Sequence, residues 1–152
     1  MPRAPFQILV FPFTLMSGLL KYCVFSRSDY NCWQGIAGGG EDTETPLQAA
    51  IRESHEEANI PKTSKIIQLQ TITSIPVNIF KASHLWDDSL YVIPEYSFGV
   101  EIVVADIKIS NEHRDYKFVV YDEAMRLLKY EGNKTALWEL NRRILGVDPR
   151  LA

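Results

Sequence analysis

Cysteine, histidine and surplus positive charge are all scarce in this sequence. Its two cysteines, Cys23 and Cys32, form no CxxC pair, and none of the three histidines stands at zinc-ligand spacing from them. That excludes a disulfide-stapled scaffold and a structural zinc site, so both thiols are expected to be reduced core residues. A formal charge of -3 excludes a protein that grips long nucleic acid by neutralising many phosphates. A small phosphorylated ligand is still compatible, because a few cations and a metal hold it locally. Long apolar runs are missing too. The stretch from Phe6 to Phe25 is interrupted by Gln7, Pro12, Thr14, Ser17 and Lys21, and no small-residue cleavage site follows. Neither a signal peptide nor a membrane partner is expected, and the protein reads as cytoplasmic. No repeat or linker divides the 152 residues, and 46% apolar content fills one core, so a single domain over 1–152 is expected.

Strand signals dominate what is present. FQILVFPF (6–13) and LLKYCVF (19–25) are rich in aromatic and branched residues, with Met16, Ser17 and Gly18 as a turn between them. Trp33 to Ala37 predicts a short strand and Ile66 to Ile75 another, ending before Pro76. Tyr96 to Ile109 reads as a long core strand, and Glu112 to Tyr121 as the last. Residues 82–95 lack a period and are expected to form a functional loop. Two helices are predicted near the C-terminus. The first spans Asp122 to Tyr130, capped by Asp122 or a neighbour, and the second runs from Asn133 to Leu145, ended by Gly146 and Pro149. This order predicts an α/β layered domain with a mixed sheet between helices.

The clearest helix follows three glycines, in GGGEDTETPLQAAIRESHEEANI from Gly38 to Ile60. Thr45 is placed as N-cap, Pro46 at the first helical position, and Gln48 completes a capping box. In that register Leu47, Ala50, Ile51, Ser54 and Ala58 form a stripe facing the core, while Glu53, Glu56 and Glu57 project together on the other side. Like charges at these spacings cost roughly 0.2–0.5 kcal/mol per pair and lie in the unfavourable C-terminal half of the helix dipole. A solvated acidic face is the ordinary reading of such a helix. It does not call for Gly38, Gly39 and Gly40 immediately upstream, where a glycine run lets backbone approach a ligand. A hard divalent cation accounts for both features. Arg52 can reach Glu56 at i+4 or Glu44 in the preceding loop, and either pairing would orient carboxylates.

The spacing of Gly38, Glu44, Arg52, Glu53, Glu56, Glu57 and Ile60 resembles the Nudix signature, G-x5-E-x7-R-E-U-x-E-E-x-G-U. Ser54 and Asn59 depart from it. Ser54 stands in the apolar stripe, where its hydroxyl is expected to bond the carbonyl four residues back. Asn59 replaces the closing glycine and is the next best residue for a left-handed helix end.

The resemblance implies a Nudix α/β/α sandwich and Mg²⁺ or Mn²⁺ held by Glu53, Glu56 and Glu57. Glu56 and Glu57 would be direct ligands, Glu53 a ligand or activator of water, and the Gly38 carbonyl an additional contact. Arg52 belongs to the catalytic set and Glu44 to its support. WQGIAGG, Ser83 to Leu85, EHRDYKF and NKTAL are similar to the subgroup that splits dATP and dihydroneopterin triphosphate into monophosphate and pyrophosphate. In that subgroup Glu112 would add a carboxylate near the metals; a surface turn residue is the alternative. Arg27 and Lys134 are candidate holders of terminal phosphates, against ordinary surface cations, and Gly39 and Gly40 are candidate backbone contacts. Trp33, Trp86 and Tyr91 can stack on a purine or pterin ring, with core packing the competing role for Trp33 and for Trp138. His113 is either an edge-strand surface residue or a substrate contact, and His55 is expected to be solvated. Hydrolysis of a dinucleoside polyphosphate or of oxidised dGTP, and a Nudix-fold binding module without turnover, are the competing functions. A monomer or homodimer is expected.

Overall fold

The computed structural model describes residues 2–28, 31–103, 107–111 and 113–151, with Arg114 by its backbone alone. Among them seven strands build one mixed sheet: β1 (Arg3–Met16), β2 (Leu19–Arg27), β3 (Trp33–Gln34), β4 (Ile36–Glu41), β5 (Ile66–Pro76), β6 (Val92–Glu101) and β7 (His113–Val119). Helices α1 (Pro46–Ala58), α2 (Tyr121–Leu127) and α3 (Glu131–Leu145) complete the fold. The central path runs β3-β2-β1-β6-β5, with β4 beside β1 and β7 beside β2. β1 and β6 are parallel and the other pairs antiparallel.

The β1–β2 hairpin closes on the pair Met16 and Leu19, with Ser17 at φ 52° and Gly18 at φ 77°. Two positive φ values make the primed turn whose twist matches its strands. β1 is buried on both faces, which is why FQILVFPF is nearly continuous in apolar residues. Ile8 and Val10 pack into the core under α1, and Leu9, Phe11 and Phe13 into a second core with Leu137 and Leu140 of α3. The sheet is thus sandwiched between helices, as expected. Ala49, Ala50 and Ala58 of α1 are fully buried, and such small residues let this helix lie close on the sheet. Leu47, by contrast, is exposed, and the buried set takes in Ala49 and also Glu57, which the sequence places on the other side.

The strand expected from Tyr96 to Ile109 starts earlier, at Val92, and ends at Glu101. Ile107 is buried in the α1 core and Ile109 packs against it, but the Lys108 and Ser110 amides donate to the Ala58 and Glu57 carbonyls. The open C-terminal carbonyls of α1 thus take donors that a ladder would have used. A 3-10 turn (Lys81–Leu85) overlaps the start of the expected loop. α2 begins at Tyr121 after Val120, with no side-chain cap; Asp122 lies within the first turn, where its charge favours the helix dipole. α3 starts two residues before the expected Asn133 and ends at Gly146, φ 66°. No helix among the described residues is long and apolar enough to cross a membrane.

Candidate active site

α1 forms as its sequence dictates. Thr45 caps it, the reciprocal capping box with Gln48 is present, and Asn59 closes it at φ 56°. The Asn59 amide donates to the His55 carbonyl and the Ile60 amide to that of Ser54. Asn59 therefore substitutes for glycine as its sequence suggests. Ser54 does not behave as expected: its Oγ is buried with no hydrogen-bond partner among the described residues, which costs stability rather than adding it.

Glu53, Glu56 and Glu57 each offer a carboxylate oxygen to one place, all within 4.8 Å of one another. Arg52 ties the cluster together. Its Nε and one terminal nitrogen bind both oxygens of Glu44, at 2.7 and 2.9 Å. The other reaches Glu53 at 3.0 Å and Glu56 at 3.2 Å, and the Gly39 carbonyl accepts at 2.8 Å. Both partners weighed for Arg52 are thus used at once. Glu44 also accepts from the Glu41 amide at 2.8 Å, and its hydrogen bonds to Arg52 hold its carboxyl below the usual range. Burial pushes Glu53 the other way, up to about 7, despite Arg52.

The glycines make room for side chains more than for a ligand. A Cβ on Gly38 would lie 2.3 Å from the Glu53 carboxyl carbon, one on Gly39 1.8 Å from Arg3 Nε, and one on Gly40 2.0 Å from the Phe6 ring. Gly38 and Gly39 also line a cavity of about 620 Å³ bounded by Arg3, Arg27, Gln34, Glu95 and Asn133. Its floor crosses four strands: Thr73, Glu95, Gln7 and Gly39 are successive cross-strand neighbours and share a face.

Of the expected substrate contacts, Arg27 and Gly39 line this cavity, whereas Gly40, Trp86 and Lys134 do not. Gly40 is buried under Phe6. Trp86 is buried too, its indole donating to the Arg3 carbonyl at 2.8 Å and its ring beside Phe80. Lys134 pairs with Glu131 at 3.7 Å. Tyr91 is exposed, Trp33 is half-buried under Lys117, and Trp138 is half-buried under Arg142. Glu112 lies outside the described residues. His113 is not a surface residue: it is buried against Phe25, with Nδ1 3.8 Å from Glu57. Ser110 donates its hydroxyl to the same carboxylate oxygen. Sequence reasoning missed Ser110, Arg3, Gln34, Asn133 and Glu95. Signals existed for Gln34 and Asn133, which lie in the WQGIAGG and NKTAL segments, and for Glu95, a charged residue in line with Ile93 and Ser97 on one face of a strand.

The sequence pattern of the NUDIX domain matches residues 19–139. The chain belongs to the Nudix family. The α1 register and acid cluster described above are what that family's signature encodes, and the expectation of a Nudix hydrolase is met. A dihydroneopterin triphosphate diphosphatase of Haemophilus influenzae is 27% identical over 113 residues, 73% of this chain and 72% of that protein. A Listeria monocytogenes crystal structure assigned to the NUDIX hydrolases superposes with a TM-score of 0.84 at 38% identity, covering 94% of this chain and 96% of that one. The Escherichia coli dihydroneopterin triphosphate pyrophosphohydrolase gives a TM-score of 0.73 at 26% identity, covering 93% of this chain and 99% of that one.

Glu95 gives this Nudix chain a pH signature. Burial raises its carboxyl to about 7, above the unfolded value, so the folded protein retains a proton that the unfolded chain has lost. Its effect is nil below the unfolded pKa, destabilises the fold as pH rises toward 7, and is constant above. Relative to Glu95→Gln, the ligand-free wild type should lose on the order of 3 kcal/mol across that window. Urea unfolding at pH 4.5 and pH 8 measures it, and parallel profiles for the two proteins would refute it.

Proposed function

We propose that residues 1–152 form one catalytic domain, a Mg²⁺-dependent pyrophosphohydrolase. It splits a nucleoside or pterin triphosphate, of the dATP or dihydroneopterin triphosphate type, into monophosphate and pyrophosphate. The observation that carries this reading is the convergence of Glu53, Glu56 and Glu57 within 4.8 Å, on a helix whose neighbour Gly38 also lines the cavity.

The donor set suits a hard divalent cation, which takes carboxylate oxygens and leaves positions for water and phosphate. Burial drives Glu53 toward its neutral form, and a dication is what allows all three carboxylates to ionise together. Mg²⁺, or Mn²⁺, would supply Lewis acidity at the phosphate and acidify the attacking water. Glu56 and Glu57 hold it, with the Gly38 carbonyl as a further contact. Glu53 ligates or accepts the proton of that water. Arg52 orients Glu53 and Glu56, and Glu44 fixes Arg52. Arg27 supplies positive charge for the phosphates from within the cavity.

Support for the triphosphate comes from the resemblance to the two dihydroneopterin triphosphate enzymes. Product analysis tests it. With Mg²⁺, such a triphosphate should yield pyrophosphate and a monophosphate, and no product in its absence. Release of ATP or ADP from a dinucleoside polyphosphate, with the triphosphates untouched, would replace this reading by the dinucleotide one.

A further inference from the structure

Glu95 has no part in the chemistry above, yet it faces the same cavity. It is 6% exposed, lies on the cavity floor, and no hydrogen bond or ion pair reaches its carboxyl among the described residues. A buried carboxyl without a partner is costly, and an apolar residue would fill this inner strand position without that cost. Gln34 repeats the pattern with the opposite polarity. It is 6% exposed, lines the same cavity, and its Nε2 donor is sealed from solvent with no partner among the described residues. The wall between the sheet and α3 is held by Asn133, whose Oδ1 accepts from the Gly35 amide at 2.9 Å. Gln7, beside Glu95 on the floor, has its Oε1 taken by Arg3 at 2.6 Å. The unmet groups are therefore a pair of acceptor oxygens and an amide donor.

We propose that Glu95 and Gln34 read the edge of the substrate's ring and select a 2-amino-oxopyrimidine, as in guanine or a pterin. The two carboxyl oxygens of Glu95 accept from the ring N–H and the adjacent amino group, and Gln34 Nε2 donates to the neighbouring oxo oxygen. This assignment rests on the reading of the cavity as the ring site of a triphosphate. Adenine fits less well. It offers one amino donor beside a bare ring nitrogen, leaving a Glu95 oxygen buried and unpaired. Two N–H donors also stabilise the ionised carboxylate that burial by itself disfavours.

The test compares kcat/KM for GTP, ITP, ATP and dihydroneopterin triphosphate in the wild type and Glu95→Gln, with Mg²⁺. ITP differs from GTP only in lacking the 2-amino group. The wild type should prefer GTP over ITP and over ATP by about tenfold to a hundredfold, the discrimination of one bidentate pair. In Glu95→Gln the preference for GTP over ITP should fall to within about threefold. The ratio of ATP to GTP should rise at least about tenfold, because an amide offers adenine both a donor and an acceptor. Equal use of GTP and ITP by the wild type, or an equal slowing of every substrate by the substitution, overturns the proposal while pyrophosphate release leaves the pyrophosphohydrolase reading intact. If no triphosphate is turned over, that reading fails by itself. Calorimetric binding of the same nucleotides to both proteins then decides the ring assignment by the same ratios.

Discussion

Glu57→Gln should lower Mg²⁺-dependent pyrophosphate release by at least about 10²- to 10³-fold, the loss typical when one preorganised electrostatic group is removed from an active site. The fold should survive. Glu57 is buried, accepts from Ser110, and stands 3.8 Å from His113. A glutamine has the same volume and keeps an oxygen for Ser110, so packing around the C-terminal end of α1 is preserved. What it removes is a negative charge from a cluster whose oxygens lie within 4.8 Å. Rates measured across a Mg²⁺ titration, beside a thermal melt, separate the two effects. A variant that melts like the wild type and retains its rate and Mg²⁺ dependence would sink the assignment of Glu57 as a ligand.

Arg52→Ala should be the most destabilising change in the site. One guanidinium serves Glu44, Glu53, Glu56 and the Gly39 carbonyl, with its strongest contacts to Glu44 at 2.7 and 2.9 Å. The side chains of Arg52, Glu44 and Glu53 are 19%, 17% and 12% exposed, so these pairs are largely desolvated. Removing the cation leaves the carboxyls of Glu44 and Glu53 without a countercharge, Glu44 keeping only the Glu41 amide, at a cost of about 3 kcal/mol. Glu56 is half exposed and adds little. For a chain of this size the melting temperature should fall by roughly 6–12 °C, with a weaker response to Mg²⁺ as Glu53 loses its orientation. Arg52→Lys should recover part of the stability but not the activity, since an ammonium cannot bridge both oxygens of Glu44 and still reach Glu53. A melt within about 1 °C of the wild type for Arg52→Ala would show that the cluster does not depend on its arginine.

Several features were legible because their causes are local. The capping box at Thr45 and Gln48 sets the α1 register within four residues, and that register decides that Glu53, Glu56 and Glu57 converge. The left-handed end at Asn59 and the Ser17-Gly18 turn follow in the same way from backbone preferences of single residues. The two-sided burial of β1 was visible as an apolar run. Elements whose ends are decided elsewhere were not legible. The strand after Gly99 stops at Glu101, although its sequence stays apolar, and the amides at Lys108 and Ser110 go to the last carbonyls of α1, some fifty residues away in sequence. Trp86 and Lys134 looked like substrate contacts by residue type. The partner of Trp86, the Arg3 carbonyl, is settled by packing, whereas Lys134 pairs with Glu131 one turn away on the same helix.

The three acids on one helix face, the arginine that holds them and the family they define were determined by the sequence alone, because i, i+3 and i+4 spacing on a capped helix leaves little choice of direction. The role of the glycine run, the setting of Glu57 behind Ser110 and His113, and the cavity that joins Gly39, Gln7, Glu95 and Gln34 were decided only by the tertiary structure. Each depends on cross-strand register and on how closely α1 and α3 approach the sheet, and these distances come from the packing of residues far apart in the chain.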